Sequence, residues 1–177
     1  MSKDKSMKKV VYILIGLIAF VFGAAAYYVR PLFVPITLSE LRKSESQYKH
    51  LKIKVFAKLE VSEEDSRYFV NLKDWENDCR GDNFCFRGLE LSDEILSQNI
   101  SLIKELVEKN KTVGRSTLIN DTYWADGEYY VDVEVTGHLV EKENLYFSGG
   151  KFYDIKVEEI EQKSPIKFVP MKEMLGR

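Results

Sequence analysis

The side chains in this sequence that could do chemistry are few. Cys79 and Cys85 are its two cysteines, separated by Arg80-Gly81-Asp82-Asn83-Phe84. In an oxidising compartment, a pair within one loop reads as a disulfide. A metal site would want more ligands, and thiol–disulfide catalysis favours the tighter C-x-x-C spacing. The Arg80-Gly81-Asp82 tripeptide matches an integrin-binding motif, but three residues recur by chance. His50 and His138 are the only histidines, and neither stands in an H-x-x-x-H pair, so they read as lone surface side chains. No Ser-His-Asp set, phosphate-cradling glycine loop or metal cluster appears. No catalytic residue, cofactor or metal is therefore expected. One stretch could gather acids for proton transfer: Asp126, Glu128 and Tyr129, with Asp132 close behind. Carboxylates there would do acid–base work only if burial or like charge moved their pKa values.

Aromatic residues crowd the second half. Tyr123, Trp124, Tyr129 and Tyr130 are candidates for an exposed binding surface, since such rings can stack on bases or sugars. The alternative is that they pack the core and its loops. Charge argues against nucleic acid. The chain has 26 basic and 28 acidic residues, and from Pro31 onward the count is 21 against 27, a formal charge of −6. Phosphate backbones are repelled by that balance except where lysines cluster.

The element that positions everything else is Val10–Val29, twenty residues without a charge. As a helix it would rise about 30 Å, the thickness of a bilayer's hydrocarbon core. It therefore predicts a single transmembrane helix. Lys3, Lys5, Lys8 and Lys9 precede it and Arg30 follows, which keeps the N-terminus cytoplasmic and puts the rest in the periplasm or outside the cell. A cleaved signal peptide ending near Ala24-Ala25-Ala26 competes with this, but the apolar run exceeds the usual signal core. The expected organisation is a basic tail (1–9), the helix (10–29), an extended linker (30–36), one domain (37–163) and a loop-like tail (164–177).

Within the domain, Thr37 and Glu40 form a capping-box pattern that starts a helix over Leu38–Tyr48. From Leu51 to Val61 the apolar residues alternate, which predicts a strand. Ser62–Ser66 is a polar turn, Arg67–Leu72 a hairpin partner, and Phe86–Leu91 a third strand. Ser92, Asp93 and Glu94 begin a helix that runs to Lys109. Ser116–Trp124 could add a strand. Tyr129–Glu141 and Lys151–Ile160 are the closing pair, with Val131, Val133 and Val135 on one face.

Three strands, a helix and a closing hairpin is the order of a five-stranded OB barrel. The chain resembles membrane-anchored members of the OB-fold superfamily, in particular the tRNA-anticodon-binding-like OB proteins of bacteria. LSELRKSESQYKHLKIKVFAKLEV and VDVEVTGHLVEKENLYFSGGKFYDIKVEEIE carry the resemblance. It implies a mainly β (α+β) protein: a transmembrane helix, then a Greek-key barrel with a helix between strands three and four. A haem chaperone of cytochrome c maturation shares that plan and uses an H-x-x-x-Y site, but the residue four after His138 is Lys142. OB domains host many functions. With no catalytic set in view, the expectation is a non-enzymatic binding or assembly module with a protein or envelope-component partner. A nucleic-acid-binding protein and an envelope enzyme are the alternatives.

Overall fold

The computed structural model describes the backbone of residues 3–74, 85–115, 117–119, 122–143 and 151–174, and the side chains of 12–26, 30, 33–74, 86–115, 125–142 and 153–174. The apolar N-terminal stretch lies within one helix, α1 (Lys3–Phe33), of 31 residues. Tyr12, Ile15, Phe20 and Phe22 are open to solvent on it. Among the described residues no helix is long and apolar enough to cross a membrane. This overturns the expected transmembrane helix and the membrane anchor built on it. The expected extended linker is also corrected, because α1 continues through Pro31 to Phe33.

The next segment forms β1 (Ile36–Thr37), which runs parallel to Val55–Phe56. The capping box then starts α2 (Leu38–Lys43): Glu40 N–H donates to Thr37 Oγ1 at 3.1 Å, and Thr37 N–H donates to Glu40 Oε2 at 3.0 Å. The single helix expected over Leu38–Tyr48 is two, because Ser44 closes α2 before α3 (Glu45–Tyr48) begins.

The alternating stretch is β2 (Lys52–Glu64), with Ile53, Val55, Ala57, Leu59 and Val61 buried. It turns through Asp65 and Ser66, both at positive φ, into β3 (Arg67–Asp74). Two left-handed residues in a two-residue loop match the twist of the strands they join. β4 (Cys85–Glu90) follows, then α4 (Asp93–Lys111), whose Ser92 hydroxyl accepts from Ile95 N–H at 3.3 Å. Ile95, Ile103, Leu106 and Val107 fall on one face of α4 and are buried. The uncertain stretch after α4 gives β5 (Thr117–Ile119) and β6 (Thr122–Trp124), a separate two-stranded sheet. β7 (Gly127–Glu143) and β8 (Lys151–Gln162) are the long closing pair. The tail expected as loop contains β9 (Lys167–Pro170) and α5 (Met171–Met174).

The main sheet has seven strands in the order β1-β2-β3-β4-β8-β7-β9, and β2 pairs in addition with β7. The sheet is mixed: β1 runs parallel to β2 and β4 to β8, while the other pairs are antiparallel. The expected five-stranded Greek-key barrel is corrected accordingly: among the described residues there is a seven-stranded mixed sheet with five helices. Short β1 and β9 have too few residues to show an alternating pattern, and tertiary pairing alone makes them strands. The inward faces of β2, β3, β7 and β8 close on α2 and α4 around Leu41, Leu59, Leu72, Ile103, Leu106, Val133 and Ile155. Each such side chain, fully buried, contributes about 2 kcal/mol.

Candidate functional site: the outward face of β2, β3 and β7

Strand alternation puts the odd-numbered residues of β2 and β7 inside and their even-numbered neighbours outside. Register then sets the outside neighbours. β2 aligns Lys58 with Asp132 of β7 and with Lys73 of β3, and Asn71 of β3 with Glu60. The outward side chains form a connected cluster. The Lys73 ammonium donates to Glu60 Oε1 at 3.0 Å and to Glu128 Oε2 at 2.8 Å. Lys58 lies 3.9 Å from Asp132 Oδ1 and 5.5 Å from the centre of the Tyr130 ring. Lys167 of β9 reaches Asp132 Oδ2 at 2.8 Å. The side chains of Lys58, Lys73, Glu128 and Asp132 are each 10–15% exposed, deep for a sheet face.

Burial sets the electrostatics. Glu128 is pushed up to about 7, chiefly by burial and also by the negative charge of Glu60, against the pull of Lys73. Burial works against the Lys73 ammonium, yet Glu128 and Glu60 together hold its pKa above the ordinary lysine value. The second oxygens, Glu60 Oε2 and Glu128 Oε1, are buried and accept no hydrogen bond.

Three phenylalanines surround this centre on the same face. Phe56 is two residues before Lys58 on β2, Phe69 is two residues before Asn71 on β3, and Phe86 of β4 pairs with Lys73. They are 41%, 47% and 51% exposed. Sequence reasoning missed all three. Phe56 was the visible signal, an apolar residue on the polar side of an alternating strand.

Of the expected aromatic surface, Tyr129 and Tyr130 stand on opposite faces of β7. Tyr130 faces out beside Lys58, whereas Tyr129 faces the core side, its ring 5.0 Å from Phe168 and 5.4 Å below Lys109 Nζ. Adjacent strand residues point to opposite faces, so the pair could not share a surface. Tyr123 and Trp124 lie in β6, and their side chains fall outside the described residues. The expected disulfide also falls outside: Cys79 and the Arg80-Gly81-Asp82 motif are not described, and Cys85 is placed only by its backbone, opposite Asp74 at the start of β4. Of the expected acids, Glu128 and Asp132 share the outward cluster. Asp126 instead joins elements through its backbone, donating to Gly114 O at 2.7 Å and accepting from Met171 N–H at 2.9 Å. His50 is exposed beyond α3. His138 is half-exposed on β7, with Nε2 2.9 Å from Glu158 Oε1. No group of three or more metal-ligating side chains occurs among the described residues. Compared with models of protein families, with curated proteins and with solved structures, the chain matches none.

Proposed function

We propose that the chain is a non-enzymatic binding module that seats a protein partner on the outward face of β2, β3 and β4. The observation that carries this reading is the exposure of Phe56, Phe69 and Phe86 together on one face of a hydrogen-bonded sheet. Rings held by strands lose little freedom on binding and supply the buried anchors that dominate protein interfaces. Charge favours protein over nucleic acid. Lys58, Lys73 and Lys167 stand against Glu60, Glu128 and Asp132, so with all six ionised the face has no surplus of positive charge to hold phosphates. The acids are poorly placed for catalysis: Lys73 takes one oxygen of each, and the other oxygen of each is buried. A kinship with the OB superfamily is part of the same proposal, supported by the order of β2, β3, β4, α4, β7 and β8 along the chain.

The test places a photo-crosslinking phenylalanine analogue at Phe69 or Phe86 of the full chain, with Glu94 on exposed α4 as the control position. Crosslinks to a discrete polypeptide from Phe69 and Phe86, competed by unlabelled chain and absent from Glu94, are expected. Equal labelling from Glu94, or none from the two phenylalanines, would remove the reading. Single-stranded nucleic acid captured at low salt instead would transfer the face to the alternative partner.

A further inference from the structure

Two carboxylates share one ammonium: Glu60 and Glu128 each give one oxygen to Lys73. The remaining oxygens, Glu60 Oε2 and Glu128 Oε1, are shut away from water with no donor. A buried carboxylate oxygen without a donor is costly. Both carboxyls meet at the Lys73 ammonium, 3.0 and 2.8 Å from its nitrogen. A proton held by the pair would relieve the repulsion between them and supply a donor that these oxygens lack.

We propose that Glu60 and Glu128 share one proton, making this cluster a titratable proton-binding site whose discharge weakens the attachment of β7 to β2 and β3. Two acids that face each other cannot both ionise without repulsion, and a single bound proton turns the repulsion into a hydrogen bond. The surrounding charges leave room for it. Lys58 on β2 and Lys167 on β9 are engaged with Asp132, and Lys73 on β3 bridges the pair. Tyr130 and Asp132, the next outward groups of β7, lie against Lys58, and Glu134 beyond them is paired with Lys54 and Lys163. Burial together with Glu60 raises the Glu128 carboxyl to about 7, so the proton leaves close to neutrality.

The sign follows from linkage. The folded chain keeps a proton that the unfolded chain loses near the ordinary carboxyl value of 4.5. Stability attributable to the site is therefore complete below that value and is lost as pH rises toward 7. Chemical denaturation of the full chain, from pH 5 to 8 at fixed salt, reads it. In the wild type, this site should raise the unfolding equilibrium constant by up to about tenfold per pH unit between pH 5 and 7. Glu128→Gln is nearly isosteric and presents an N–H to Glu60, so it imitates the protonated state. It should fold with that part of the pH dependence removed. Carboxyl carbon NMR of the wild type provides a measurement that needs no variant: one glutamate should titrate near neutrality. A Glu128→Gln chain with the wild-type pH slope, or a carboxyl spectrum in which every glutamate titrates below pH 5.5, would overturn the proposal. The face could still bind a partner in either case, so the two readings fail separately.

Discussion

The side-chain amide of Asn110, in the last turn of α4, pairs with the backbone of Tyr129 as a strand would. Asn110 Nδ2 donates to Tyr129 O at 3.0 Å, and Tyr129 N–H donates to Asn110 Oδ1 at 2.7 Å. One side chain thus satisfies both backbone groups of Tyr129 and fastens the end of the helix to the start of β7. It also fixes the height at which Glu128 and Tyr130, on either side of Tyr129, meet β2. Asn110→Ala leaves both groups without that partner and should cost about 2–3 kcal/mol in urea unfolding, since unmet backbone groups cost about 1–3 kcal/mol each when buried. Asn110→Asp keeps the acceptor and loses the donor, and should fall between alanine and wild type. An alanine variant as stable as wild type would show that water replaces the amide at no cost.

At Gly137 the backbone of β8 lies too close to β7 to admit a side chain. The register shifts between Thr136 and Gly137, so that Thr136 faces Glu159 and Gly137 faces Val157, leaving Glu158 as the extra residue of a bulge. A Cβ on Gly137 would overlap the backbone carbonyl of Lys156 and stand 2.9 Å from Ile155 Cγ2. Backbone cannot step aside without breaking the ladder. Gly137→Ala should therefore destabilise by about 3 kcal/mol, the upper end of ordinary overpacking. A Cβ on Gly88 meets only the Asp154 carboxylate, which can rotate away. Gly88→Ala should cost about 1 kcal/mol. Thermal melts of the two variants side by side check the order, and the reverse order would contradict the account of the bulge.

Arg87 holds the parallel junction between β4 and β8. Its guanidinium donates to Tyr153 O at 2.7 Å through Nη1 and pairs with Glu45 of α3 through Nη2, with the Arg87 side chain only 10% exposed. Two donors in a rigid fork serve both partners at once, which an ammonium does less well. Arg87→Lys should lose the bond to Tyr153 while keeping an ion pair with Glu45, and should lower stability by about 1–2 kcal/mol. Hydrogen exchange should then speed up locally along Leu89, Glu90 and Ile155, where β4 meets β8. Exchange accelerated equally across the whole sheet would place the role of Arg87 elsewhere.

What could be read from residue order alone was local. The alternation from Leu51 to Val61 and from Tyr129 to Glu141 announced β2 and β7, because burying one face of a strand leaves a period of two. Thr37 with Glu40, and Ser92 with Asp93 and Glu94, announced two helix starts, because caps act within one turn. The twenty-residue apolar run announced a helix, now part of α1, but the membrane span expected of it is overturned. The single residues that broke a pattern, such as Phe56 on the polar side of β2, mark the proposed binding face and were easy to pass over.

Tertiary structure decided the neighbours. β1 and β9 are strands only because β2 and β7 offer them edges. Tyr129 and Tyr130 separate because the sheet has two faces with different surroundings. The cluster of Glu60, Lys73 and Glu128 brings together groups 13 and 55 residues apart. The sequence determined the face on which each of these side chains stands, since periodicity is a property of one strand. Which charge stands opposite, and how far burial moves it, depends on register between strands. Register is set by the packing of the whole core and by closures such as Asn110 on Tyr129 and the bulge at Gly137, whose energies arise only when distant segments meet.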